Sequence, residues 1–268
     1  MNAVLVAGAT VAGLAIGGLL DPIGQRLAEA SHRDDARKRA EAAEKREAGS
    51  PPVATDPAPE VATDPTPEVA TDPTNLVVQG PSVARTVAAA VVTGALFGLA
   101  ANHFGADLVL APFCVLFALL VVAAVTDLSY RLVPRWLIYG SLVLLAPLLV
   151  ATSAVDHQWQ HLSGAAIGGA VAFGLFFTIW WFIPQGMGYG DVRLAGVIGI
   201  GTGYLSLVHA YLAFFGGFVI GLVFGVIMMT VLGSGRKTRI PFAPALSVGA
   251  VLAVFFGAHL AQSLFGTT

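Results

Sequence analysis

Polar and apolar positions along this chain fall into long blocks instead of short alternations. Apolar runs occupy 3–20, 84–101, 107–126, 137–154, 162–183, 192–208, 210–232 and 243–264. Each is close to the length of about 20 residues that carries a helix across a bilayer. The pattern predicts an all-α, polytopic membrane protein with about eight transmembrane helices: a first span at 1–20 and a seven-span membrane domain at 84–268. The run at 192–208 carries Gly196, Gly199, Gly201 and Gly203. That predicts a short, closely packed span, because small residues let helix backbones approach inside a membrane.

Between the first two spans, 21–83 reads as a loop. Residues 28–48 are dense in Ala, Arg, Lys and Glu, which predicts a solvated helix of mixed charge. Within 50–75, Val-Ala-Thr-Asp-Pro recurs at 53–57, 61–65 and 69–73. So much proline and acid, with no large apolar residue beyond valine, cannot bury enough surface to offset chain entropy. A disordered linker is predicted there. The first apolar run has no basic segment ahead of it and no convincing cleavage site, so it reads as a retained span.

Composition supports the membrane class: 56% of residues are apolar and 11% charged, against roughly 45–50% and 25% in soluble domains. Charge adds a topology. All 14 Lys and Arg fall within 26–85, 131–135, position 193 and 236–239, which eight spans place on one side. The intervening loops and both termini carry none. By the positive-inside rule the basic side is cytoplasmic and both termini face outward. Cys114, the single cysteine, can form neither an intrachain disulfide nor a four-ligand zinc site. The six histidines are scattered without ligand-like spacing. No metal or other cofactor is expected, and no nucleic-acid partner.

The acids then stand out. After residue 80 only Asp107, Asp127, Asp156 and Asp191 occur. Asp107 and Asp156 fall at the outer face, where a solvated carboxylate needs no explanation. Asp127 and Asp191 fall at the cytoplasmic ends of the third and sixth spans. The bland reading makes Asp191 the N-cap of the next helix and Asp127 a solvated helix-end residue paired with Arg131. Asp127 is misplaced for that role, because a helix C-terminus prefers cations. Two isolated carboxylates at one membrane depth instead suit an aspartyl protease, one acting as base on water and the other as acid on the carbonyl. The loop Gly186-Met187-Gly188-Tyr189-Gly190-Asp191 ahead of the sixth span is costly in backbone entropy. Its glycines suit either a tight interhelical turn or close approach of an extended substrate. Trp180-Trp181 reads as an interfacial anchor.

Asp127 with Leu132-Val133-Pro134, and Gly186-Met187-Gly188-Tyr189-Gly190-Asp191, resemble the type IV prepilin peptidases, membrane aspartyl proteases of the GxGD type. Gly17-Gly18-Leu19-Leu20-Asp21 with Arg26-Leu27 resembles that family's segment after its first span, and Ile240-Pro241-Phe242-Ala243-Pro244 the segment before its last. The resemblance implies a bacterial plasma-membrane endopeptidase that cleaves the leader of prepilin-like precursors on the cytoplasmic side, with membrane lipid as its surroundings. Asp127 and Asp191 would be catalytic, with Gly186, Gly188, Gly190, Pro134, Arg193 and Pro241 in the motifs that position substrate. The chain departs from the family at Arg193 (usually lysine), Ala243 (usually glycine) and Asp21 (usually asparagine). It also lacks the two cysteine pairs that many bacterial members carry in the first cytoplasmic loop, in the part linked to N-methylation. Two other classes also suit the pattern: a transporter or channel built on glycine-broken helices, and an inactive relative acting in assembly.

Overall fold

In hydrocarbon a segment satisfies its own backbone hydrogen bonds only as a helix or a closed barrel, and every apolar block here becomes a helix. The computed structural model describes residues 2–48, 83–130, 132–183, 187–231 and 241–266. Among them lie α1 (Asn2–Ala48), α2 (Val83–Phe104), α3 (Leu110–Tyr130), α4 (Arg135–Val155), α5 (Gln160–Phe182), α6 (Tyr189–Leu205), α7 (Leu207–Val231) and α8 (Ala243–Phe265). Seven of these are long and apolar enough to cross a membrane, which makes the protein an all-α, multi-pass membrane protein. The exception is α6, with 17 residues, the short element that its glycines predicted. It starts at Tyr189, so Asp191 lies in its first turn.

The other boundaries fall within a few residues of the predicted spans, except at the N-terminus. There α1 runs unbroken through Asp21 and Pro22, where the apolar run stops, and on to Ala48. The strong helix formers of 28–48 carry the helix past a proline that removes one ladder donor. The chain divides into two units, 1–28 with 81–268, and 29–80. The described part of the second is the charged stretch 29–48, where Arg37 Nε and Glu41 Oε1 pair at 2.8 Å one helical turn apart. Such an exposed pair contributes only a few tenths of a kcal/mol. The predicted linker at 50–75 lies outside the described residues.

In the membrane unit α3 is central, packing on α2, α4, α6 and α8, and Phe113, Leu116, Phe117 and Leu120 are fully buried on it. α5 packs closely on α6. A Cβ at Gly164 or Gly168 would strike the backbone of Gly203 or Gly199, and the converse holds for Gly203 and Gly199. Only glycine permits that approach. Buried hydroxyls bond back to their own helices: Thr93 to the Ala89 carbonyl, Thr126 to Val122, and Thr202 to Ile198. Far from the acids discussed below, the Tyr204 hydroxyl and Ser153 Oγ lie 3.0 Å apart, and His161 Nδ1 is 2.7 Å from the Tyr204 carbonyl.

Candidate active site

Asp127 sits in the last turn of α3 with 5% of its surface exposed. Its Oδ2 accepts a hydrogen bond from the backbone N–H of Ala243 at 3.0 Å. Ala243 opens α8, so this donor is one of the N–H groups that a helix start leaves without an intrahelical partner. The positive end of the α8 dipole thereby faces the carboxylate. The sequence favours a helix start here, because Pro244 in the first turn needs no donor and has its φ preset. Ser247 Oγ, one turn further along, donates to the buried Leu120 carbonyl at 3.2 Å and fastens α8 to α3. The expected partner Arg131 lies outside the described residues. The contact that is seen comes from a backbone amide 116 residues away.

Asp191 is 8% exposed. It is not the N-cap. That position belongs to Gly188, in extended backbone (φ −75°, ψ 142°), and the Asp191 N–H donates to the Gly188 carbonyl at 3.1 Å. Asp191 is thus the third residue of α6, where a carboxylate suits the dipole. Its Oδ1 is buried and has no hydrogen-bond partner among the described residues. Asp107 and Asp156 lie exposed beside the helix ends remote from this pair, Asp156 as the C-cap of α4.

The motif residues around the pair have distinct roles in packing. A Cβ on Gly188 would come within 3.5 Å of Asp191 Oδ2. A Cβ on Gly190 would sit 3.2 Å from both Cβ and the carbonyl of Val133, so this glycine lets α6 close on the segment between α3 and α4. Buried Pro134 caps α4 in extended backbone, and its carbonyl accepts from the Leu137 N–H at 3.2 Å. Arg193 lies over the Tyr189 ring at 4.3 Å and within 5.6 Å of the Tyr139 ring. Tyr189 also packs on Trp180, with ring centroids 5.0 Å apart. Pro241, half-buried, stands just ahead of the α8 cap. Gly186 lies outside the described residues. Among the described residues no three His, Cys, Asp or Glu side chains gather as metal ligands would.

Sequence reasoning missed three participants: the Ala243 N–H, Ser247 and Tyr139. The first two lie in or beside a motif that had been singled out, but nothing in the motif says that its backbone meets Asp127. Tyr139 gave no signal.

Residues 114–226, which include both aspartates, match the type IV leader peptidase family. A prepilin leader peptidase/N-methyltransferase of Bacillus subtilis is 34% identical over 174 residues, 63% of this chain and 65% of the relative. Proteins of the same name from Xanthomonas campestris and Pseudomonas aeruginosa are 29% and 26% identical, over 61% and 64% of this chain and 54% and 58% of theirs. The chain thus spans just under two thirds of the length of the first of these relatives and a little over half of the others. No solved structure matches it.

Proposed function

We propose that the chain, whose residues 114–226 match the type IV leader peptidase family, is a membrane aspartic endopeptidase. Its substrates are prepilin-like precursors, in which a basic leader precedes an apolar helix. It removes the leader at the cytoplasmic face of a bacterial plasma membrane. One observation carries the reading: two buried carboxylates, in the last turn of α3 and the first turn of α6, stand at one end of an otherwise acid-poor bundle.

In the proposed reaction a water between the carboxylates loses a proton to the ionised one and attacks the scissile carbonyl. The protonated carboxyl hydrogen-bonds to the carbonyl oxygen as charge develops there, and the proton taken from water goes to the leaving amine. Asp127, which accepts a backbone N–H at a helix start, suits the ionised base. Asp191, with a buried oxygen that has no hydrogen-bond partner among the described residues, suits the carboxyl that carries the shared proton. The apolar helices hold the substrate helix at a depth that brings the bond to the pair, and such positioning supplies several kcal/mol of barrier reduction. Arg193, stacked on Tyr189, and Gly190, seated on Val133, hold the start of α6 and with it Asp191.

The test is cleavage of a prepilin-like precursor by the full chain in proteoliposomes. Leader release is expected from wild type and from Asp107→Asn and Asp156→Asn. Failure of wild type to cleave any such precursor, or cleavage that needs the outer acids and not the inner pair, would overturn the reading.

A further inference from the structure

α2 and α8 both pack on α3, and an open groove of about 470 Å³ lies between them with α3 as its floor. Its α2 wall runs from Arg85 through Ala88 and Val92 to Leu96. That is about 16 Å of helix at 1.5 Å per residue, half of a hydrocarbon layer of about 30 Å. The floor is Val121, Ala124 and Val125; the α8 wall is Val248 and Leu252. Apart from Arg85 at one end, the wall and floor side chains named here are apolar.

We infer that this groove is the docking groove for the apolar helix of the precursor, an inference that rests on the peptidase reading. Continuity with the carboxylate pair argues for it. Leu128 and Pro244 line the groove, and they are the sequence neighbours of Asp127 and Ala243, whose hydrogen bond stands at that end. Asp127 is also three residues from the floor residue Ala124, on the adjoining face of α3. A helix lying in the groove ends beside the carboxylate, and the chain emerging from it is the segment to be cut. Size fits one face of such a helix: 16 Å of helix about 10 Å across fills roughly 1,200 Å³, more than twice the groove. The rest of the helix faces lipid. The small side chains of Ala88 and Ala124 provide the close approach that helices in membranes use.

A second apolar groove, about 400 Å³, is lined by α1, α2, α3 and α4. On α3 it reaches only to Leu119, about 12 Å of helix rise short of Asp127. None of its lining residues adjoins Asp127, Asp191 or Ala243 in sequence, whereas Leu128 and Pro244 line the first groove.

The experiment uses the full chain with Cys114→Ala, and a precursor with one cysteine in the first two turns of its apolar helix. Val92→Cys and Val248→Cys should each cross-link to it oxidatively in proteoliposomes, and Val143→Cys on the exposed face of α4 should not. Independently, Val92→Trp should raise KM for the precursor roughly tenfold, about 1.4 kcal/mol of lost binding, with kcat near wild type. Val143→Trp should change neither. Cross-linking as strong at 143, or none at 92 and 248 with KM unmoved, would mean that the groove holds acyl chains only. Wild-type cleavage in the same membranes would then leave the peptidase reading standing. A wild type that fails to cleave removes that reading and this inference together.

Discussion

Asparagine at 127 and at 191 is predicted to have the same effect on activity and opposite effects on stability. The change keeps side-chain size and removes one titrating group. A positioned acid or base contributes about 10²–10⁴ in rate. Because each member works only through the other, either substitution should remove nearly all turnover, and the double variant should be little worse than a single one. Stability separates them. Asp127 accepts a backbone N–H; a hydrogen bond to a charged group is worth about 1.5–3 kcal/mol and a neutral one about 0.5–1.5. Asp127→Asn keeps an acceptor but loses the charge, so it should cost about 1 kcal/mol, a fall of about 2–4 °C in Tm for a chain of this size. Asp191 holds a buried oxygen without a hydrogen-bond partner among the described residues. Asparagine is neutral without holding a proton and fills the same space, so Asp191→Asn should unfold no earlier than wild type. Precursor cleavage and thermal unfolding in one detergent read both quantities. Turnover above about a tenth of wild type in either variant, or a larger loss of stability at 191 than at 127, would refute the reasoning.

Leader cleavage should follow a bell in pH: at the acid end both carboxyls are protonated and no base remains, and at the alkaline end both are ionised and no acid remains. The two ionisations belong to the pair, and a rate profile with a single ionisation would contradict this. Arg193→Leu removes a cation–π contact worth about 0.5–2 kcal/mol and should lower both Tm and kcat, whereas Arg193→Lys keeps the cation beside Tyr189 without the planar stacking and should recover part of both; Tm and kcat unchanged in Arg193→Leu would show that this contact does not hold the turn. Cleavage should persist in strong chelator, and activity that is lost on chelation and restored by zinc would exclude a two-carboxylate mechanism.

The spans were legible because each is a local property: a helix long enough for the bilayer announces itself by its own residues. The shortness of α6 was legible for the same reason, through its glycines. What was not legible depends on contacts between distant segments. The bland reading of Asp191 as a cap failed because glycine at 188 takes that position in extended backbone, and a local rule does not say which of several polar or glycine positions opens a helix. The charged helix at 28–48 was legible, but its continuity with the first span was not: Asp21-Pro22 reads as a break, and α1 runs through it. The hydrogen bond from Ala243 to Asp127 joins residues 116 apart. Only the packing of α8 on α3 brings them together.

The two departures that fall near the pair become intelligible on the same geometry. Alanine in place of the usual glycine at 243 alters a side chain, whereas the contact with Asp127 is made by the backbone N–H. The added methyl is fully buried, so it fills space at the α8–α3 junction and leaves the donor where it is. Arginine in place of lysine at 193 is a different exchange, because a planar guanidinium stacks on aromatic rings in a way that an ammonium does not. Here Tyr189 and Tyr139 stand at 4.3 and 5.6 Å from it, and Trp180 supports Tyr189 from its other neighbours. The cation at this position is therefore held by the helix start that it helps to fix, in the turn that carries Asp191. A substitution that kept the charge but removed both tyrosine rings should loosen that turn as much as loss of the charge itself.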